Sequence, residues 1–323
     1  MMFALAITGP TASGKTALSL ELAKKLGLEI ICLDSMQIYK DMNIGTAKPT
    51  EKERALVPHH VVDFLPFSEN YNAESYRADA MRAVRDITSR GKIPLFVGGT
   101  GLYIDTLTGR GENGAPASDR EYIEGRASAV RGPSDVHALW LELERIDPES
   151  AAAIHENNVK RVLRALEIYE KSGKTKTYFD NQSKKKKPEL DIGMITLDFH
   201  KRELLYERAD TRVDEMMREG LLAEVEGLAR RGLFDGDTTA SQAIGYKELG
   251  AYLRGAVTLD EAVTELKTAT RRYAKRQLTW FRHEREAYRL FADTEDGVMR
   301  SVEELLAEAY SFAMNFIKNK NVT

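Results

Sequence analysis

The feature that most restricts how this chain can fold is GPTASGKT at residues 9–16, set behind the apolar run FALAI. It fits G-x-x-x-x-G-K-[ST] with a strand expected before it and a helix after it, the context that gives the pattern meaning. Glycines let backbone N–H groups converge on phosphate oxygens, and the positive end of the following helix favours the anion. Lys15 then neutralises charge, and Thr16 can reach Mg2+. Gly9, Pro10, Thr11, Ala12, Ser13, Gly14, Lys15 and Thr16 are the candidate phosphate-binding residues.

The rest of the first hundred residues agrees with a strand, loop and helix start. FALAITG, EIICLDS, HVVDFL and IPLFVGG alternate with helical patterns, the signature of βαβ units and a parallel sheet. Leu18, Leu22 and Leu26 recur every fourth position before Gly27, as do Tyr76, Ala80 and Val84, then Ile87, before Gly91. Strand signals then vanish from 113 to 190. There SDRE (118–121) resembles a capping box, and VHALWLELERI and VKRVLRALEIY carry apolar residues at helical spacing. DIGMITLDF (191–199) reads as a strand returning to the sheet, and TLDE at 258 and SVEE at 301 open later helices. The expectation is an α/β fold: a P-loop NTPase-like parallel sheet flanked by helices, with a helical insertion domain. Residues 1–112 form the first part of the core, 113–190 the insertion, and 191–323 the return to the core and the C-terminal helices.

Composition narrows the function classes. With 323 residues the chain can bury a large core, and no apolar run approaches the roughly 18 residues of a membrane span. One cysteine, Cys32, rules out an intrachain disulfide and a Cys-rich zinc site, and MMFALAITGP lacks the marks of a secretory signal. A cytoplasmic protein is expected, with neither membrane nor protein partner. The net charge of −3 says nothing for a polyanionic partner as an average. His59 and His60 are adjacent on an expected strand, point to opposite faces and have no further ligands at metal-site spacing.

A nucleoside triphosphatase or kinase usually ends a second strand with an acid that holds the metal, but IPLFVGG ends without one. The candidate strand acids are Asp34 and Asp63. Asp34 lies 18 residues after Thr16, where the neighbouring parallel strand is expected to end near the loop. A carboxylate there faces an acceptor, so the loop can hold a pyrophosphate with Asp34 acting on whatever replaces it. The alternative, a helix cap after the strand, stays open at this point.

Seven segments in order carry a resemblance: GPTASGKT, LDSMQIY (33–39), GTAKPT (45–50), HHVVDF (59–64), GGTGLY (98–103), QAIGYKEL (242–249) and RRYAKRQLTWFR (271–282). Together they closely resemble the bacterial tRNA dimethylallyltransferases, of the tRNA isopentenyltransferase family, over about residues 3–285. The resemblance implies transfer of a dimethylallyl group from dimethylallyl diphosphate to N6 of the adenosine after the anticodon, with the loop gripping the departing pyrophosphate. It implies Mg2+ at Thr16, Arg212 as the arginine on the leaving group, Asp34 as the acceptor of the N6 proton, and Thr100 as a positioning group. Catalysis then rests on stabilising the diphosphate and holding the amine in line.

It also implies contacts to the tRNA anticodon stem-loop. Asp34, Ser35, Met36, Gln37, Thr100 and Gln242 are expected at the target base, which must be turned out of its stack. Asn158, Lys160, Arg161 and Arg164 in the insertion are expected at the stem. Residues 271–289 are expected to form a basic helix, with Arg271, Arg272, Lys275 and Arg276 on the backbone phosphates. The lysine run 184–187 reads as a solvated loop. Three rival readings are a small-molecule kinase, an isopentenyltransferase acting on free adenine nucleotides, and a non-enzymatic RNA-binding module.

Overall fold

The computed structural model describes residues 2–110, 114–185 and 188–321. In chain order the first stretch gives β1 (Met2–Thr8), α1 (Lys15–Leu26), β2 (Glu29–Leu33), α2 (Glu51–Leu56), β3 (His59–His60), α3 (Ala73–Ser89), β4 (Pro94–Gly98) and α4 (Gly101–Leu107). Five helices follow: α5 (Arg120–Ser128), α6 (Pro133–Ile146), α7 (Pro148–Ala153), α8 (Val159–Ser172) and α9 (Lys176–Lys185). The chain then gives β5 (Leu190–Asp198), α10 (Arg202–Glu219), α11 (Leu221–Arg230), α12 (Tyr246–Leu253), α13 (Leu259–Arg282), β6 (Tyr288–Phe291) and α14 (Val302–Asn321).

Backbone contacts divide the chain into Met1–Ile104 with Leu190–Thr323, and Asp105–Glu189. The first unit is built on a six-stranded sheet of order β3-β2-β4-β1-β5-β6, in which every pairing is parallel. Strands of such a sheet are covered on both faces and read as apolar runs, and all five residues of β2 are buried. Leu18 and Leu22 of α1 are fully buried against Leu5, Ile7, Leu95 and Leu197, with Leu305 and Ala309 of α14 in the same cluster. Each such leucine contributes about 1.5–3 kcal/mol by burial. A second cluster gathers Ile38, Tyr39, Val213, Leu221, Tyr246 and Leu266 beneath the loops that follow β2. The second unit is a helical bundle with its own core of Leu143, Ile154, Val162, Leu163 and Leu166.

Several local expectations are corrected. β4 lies between β1 and β2, so the strand that ends at Asp34 is next but one to the strand that delivers the loop. HVVDFL yields only the two-residue β3, because Val61 and Asp63 adopt left-handed backbone (φ 57° and 58°) and turn the chain away. Asp63 is held there by Lys48 (2.6 Å) and Arg54 (3.0 Å), a structural role for the second candidate acid. The basic helix ends at Arg282 and is followed by β6, which packs beside β5. The cap of α5 is Asp119, whose side chain accepts from the Tyr122 N–H (3.2 Å), while Ser118 donates to Glu167. Lys184 and Lys185 belong to α9, whereas residues 186–187 of the lysine run, and the expected domain boundary near 112, lie outside the described residues. TLDE and SVEE do form reciprocal caps, Thr258 with Glu261 and Ser301 with Glu304.

Candidate active site

The phosphate loop joins the C-terminal end of β1 to α1, and its geometry follows from its glycines. Gly9 has φ 138°, and a Cβ on it would lie 2.8 Å from the Leu197 carbonyl oxygen. Ala12 (φ 62°) and Gly14 (φ 90°) also take left-handed backbone, the kind of turn that makes a nest of N–H groups for an anion. Lys15 folds back over the loop, donating to the Pro10 carbonyl (2.5 Å) and to Ser13 Oγ (3.5 Å). Burial pushes the Lys15 ammonium down to about 7; Arg212 adds to the fall and Asp34 opposes it.

Thr11 to Thr16 line a cleft of about 890 Å3, together with Asp34, Ser35, Met36 and Gln37 from the loop after β2. Asp34 is fixed by its own neighbours: Oδ1 accepts from the N–H groups of Met36 (2.8 Å) and Gln37 (3.4 Å). The carboxylate thus closes a turn, with no helix following it before Glu51, and it also lines the cleft. Burial raises its pKa above the usual carboxylate value, while those two N–H groups, Lys15 and Arg212 pull the other way.

Arg212 comes to the same cleft from α10. Its Nε is buried and has no hydrogen-bond partner among the described residues. Burial depresses its pKa, against the attraction of Asp34, Glu215 and Glu219. A buried guanidinium donor left unpaired is costly, and an anion in the cleft would satisfy it. One turn earlier on α10, Arg208 donates from Nε to the Ala12 carbonyl (2.8 Å) and so braces the loop at its left-handed residue.

Thr16, at the exposed start of α1, makes no side-chain hydrogen bond among the described residues, so its hydroxyl is available to a cation. Mg2+ bound mainly through phosphate oxygens needs only one or two protein ligands, and Thr16 meets that need. Among the described residues no group of three or more His, Cys, Asp and Glu is placed to hold a metal by itself. His59 instead bonds the Val57 carbonyl (2.7 Å), and His60 bonds Glu29 (2.8 Å).

Other expected residues fall in varied places. Gln242 and Arg276 line the cleft. Thr100 stands behind it, its Oγ1 accepting from the Ser35 N–H (3.3 Å). The Gln37 amide, expected to face a base, is engaged within the protein: Nε2 donates to the Thr46 and Ala47 carbonyls (3.1 Å each), and Oε1 accepts from Cys32. Arg271 is ion-paired with Asp210 (2.6 Å) and Arg272 with Glu265 (3.4 Å), whereas Lys275 and Arg276 are exposed. In the helical unit Asn158 starts α8 and Lys160 and Arg161 are exposed, but Arg164 is committed to Glu167 (2.6 Å) and the Pro116 carbonyl (2.6 Å).

The reading from sequence missed Gln277. This buried side chain accepts from the Thr11 N–H (2.8 Å) and donates to the Gly99 carbonyl (2.9 Å), locking α13 to both the phosphate loop and the turn after β4. A Cβ on Gly99 would overlap the Gln277 amide, and one on Gly101 would overlap the Trp280 ring, so these two are glycine because α13 lies against them, while Gly98 is glycine because the Leu33 backbone of β2 lies against it. A glutamine on a helix gives no sequence signal of such a clamp.

A parallel sheet that presents a phosphate loop, a buried unpaired arginine and a separately fixed carboxylate to one cleft defines a P-loop group-transfer enzyme built around a phosphorylated donor. Comparison with known proteins makes the class specific. A family model described as IPP transferase matches residues 37–284, and one described as isopentenyl transferase matches residues 2–58. The tRNA dimethylallyltransferase of Shouchella clausii is 48% identical over 88% of this chain and 89% of its own length. That of Carboxydothermus hydrogenoformans is 43% identical over 94% and 96%. The full-length tRNA isopentenylpyrophosphate transferase of Bacillus halodurans superposes with TM-score 0.72 at 39% identity, covering 99% of this chain and 98% of that one. A eukaryotic dimethylallyltransferase acting on tRNA gives TM-score 0.78 at 32% identity, over 99% and 80%. The chain belongs to the IPP transferase family.

Proposed function

We propose that this chain transfers a dimethylallyl group from dimethylallyl diphosphate to N6 of the adenosine that follows the anticodon in tRNA, releasing pyrophosphate. The C1–O bond of the donor breaks with its electron pair passing to the diphosphate, and a bond forms between C1 and N6. An allylic carbon spreads positive charge, so the barrier lies in stabilising the leaving group and aligning the amine. Loop N–H groups, Lys15 and Arg212 meet the developing charge on the leaving oxygens. Mg2+ held by Thr16, when bound, supplies further neutralisation there. Asp34, fixed through Oδ1, accepts the N6 proton on Oδ2, and its raised pKa suits that task. Thr100 acts one step back, by holding the Ser35 backbone. Exposed Lys275 and Arg276, with Lys160 and Arg161, are the cations we assign to the anticodon stem-loop phosphates. The compartment we propose is the cytoplasm; among the described residues no helix is long and apolar enough to cross a membrane.

The observation that carries this reading is the buried, unpartnered Nε of Arg212 in one cleft with Lys15 and Asp34. The test incubates purified protein, Mg2+ and unmodified tRNA with dimethylallyl diphosphate or with ATP, with AMP as the acceptor in parallel reactions, and weighs the digested nucleosides. An adenosine heavier by one dimethylallyl group, only with the prenyl donor and tRNA, is expected. Prenylated AMP with unmodified tRNA, or consumption of ATP, overturns it.

A further inference from the structure

Glu224 of α11 is not among the residues lining the cleft, yet its carboxylate gathers four donors. Oε2 accepts from the N–H groups of Asn43 (3.0 Å) and Ile44 (2.8 Å). Oε1 accepts from the Gly45 N–H (3.2 Å) and the Tyr246 hydroxyl (2.6 Å). Three successive N–H groups turned to one point form an anion nest, and here the protein fills it with its own side chain. Bonds to an ionised acceptor are roughly twice as strong as neutral ones. The approach is close enough to dictate a glycine: a Cβ on Gly45 would lie 2.5 Å from a carbon of the Tyr246 ring.

What Glu224 joins gives it a purpose. The loop it grips carries Gly45, Thr46 and Pro49 in the cleft wall, and its Thr46 and Ala47 carbonyls hold the amide of Gln37. Tyr246 opens α12 directly after Gln242, Ala243, Ile244 and Gly245, which also line the cleft. One carboxylate therefore ties two walls from distant parts of the chain. The phosphate loop is held by a separate set of hydrogen bonds, from Arg208 and Gln277.

We infer that Glu224 is a positioning residue for the nucleic-acid end of the cleft: by anchoring the 43–45 backbone and Tyr246 together it sets the walls between which the acceptor base enters, while leaving the diphosphate end to the phosphate loop. This rests on the tRNA reading proposed above. Full-length wild type, Glu224→Ala, Glu224→Gln and Thr258→Ala are compared by KM for tRNA, KM for dimethylallyl diphosphate, direct tRNA titration, melting temperature and amide hydrogen exchange. Thr258→Ala removes a helix cap and serves as a purely structural control.

Glu224→Ala, which removes all four of these hydrogen bonds, is expected to raise the KM and the Kd for tRNA about tenfold through the loosened walls. The KM for the diphosphate stays within about twofold on the same scale. Exchange at 43–45 accelerates while the phosphate loop stays protected, and Glu224→Gln, which keeps the shape, falls in between. Parallel rises in both KM values, matched by Thr258→Ala at equal loss of melting temperature, overturn the inference. A wild type that leaves tRNA unmodified fails the functional reading instead. The tRNA titration needs no turnover, and equal Kd values for wild type and Glu224→Ala would then overturn this inference on their own.

Discussion

Arg212→Met separates function from stability in one substitution. Methionine keeps most of the apolar stem of the side chain but removes a buried guanidinium whose Nε has no partner among the described residues. If that arginine meets the charge of the departing diphosphate, its loss costs transfer about 10²–10³-fold, or about 2.7–4 kcal/mol, the usual effect of removing one preorganised donor. The empty protein should respond in the opposite direction. Leaving a buried donor unsatisfied costs about 1–3 kcal/mol, and depression of the Arg212 pKa by burial shows that folding disfavours the charged form. Relief of that cost should raise the melting temperature by about 2–4 °C per kcal/mol. Lys15, pushed down in part by Arg212, should titrate higher in the variant, which can be followed by NMR of labelled lysine. Pyrophosphate supplies the internal check. At 100 times its Kd it should stabilise wild type by about 2.7 kcal/mol, whereas a hundredfold weaker site at the same concentration gives only about 0.4 kcal/mol. Single-turnover transfer and melting with and without pyrophosphate measure all of this. An Arg212→Met protein that melts below wild type when empty, and gains as much from pyrophosphate, would refute the reasoning.

Three further outcomes are expected. Asp34→Asn should lower single-turnover transfer about 10²–10⁴-fold, as loss of a positioned base does, with the tRNA Kd from filter binding unchanged. Because the folded-state pKa of Lys15 lies at about 7 against an ordinary 10.5, the unfolded chain binds more protons between those values. That group's contribution to stability therefore rises with pH across the window and is flat below it, while pyrophosphate affinity is highest below about pH 7 and falls above it; calorimetry on wild type and Lys15→Met checks both. Removing the charges of Lys275 and Arg276 should flatten the salt dependence of tRNA binding by about 0.7–0.9 in log–log slope for each phosphate they neutralise, whereas Arg271→Ala should chiefly lower the melting temperature, since Arg271 is already paired with Asp210.

The parts of the site that the sequence made legible are those whose geometry is closed by near neighbours. The phosphate loop needs only its own glycines and the start of α1, Asp34 is held by the N–H groups of Met36 and Gln37, and the caps at Thr258 and Ser301 bond within one helical turn. Backbone hydrogen bonding over a few residues dictates such structures, so the residue types alone announce them. Resemblance added Arg212, Thr100 and Gln242 with their expected roles, but not the contacts that hold them. Thr100 and Gln37 spend their polar atoms on the cleft wall, and Arg164 and Arg271 spend their charge on Glu167 and Asp210.

Only the tertiary structure decided that β4 separates β1 from β2, that β6 closes the edge of the sheet, and that α10, α11 and α13 bring Arg212, Glu224 and Gln277 to the cleft or its walls. The spacing of Arg208 and Arg212 on α10 is that of any exposed helix face. Whether such an arginine meets water or lines a buried cleft depends on how the whole sheet and its helices pack, and packing sums many weak attractions between residues far apart in the chain. The sequence by itself determined the phosphate-loop turn and the placing of a carboxylate at the end of β2, because local backbone geometry encodes both. The fold determined which cation in the cleft keeps a buried donor without a partner, because that is a property of what each side chain is buried against.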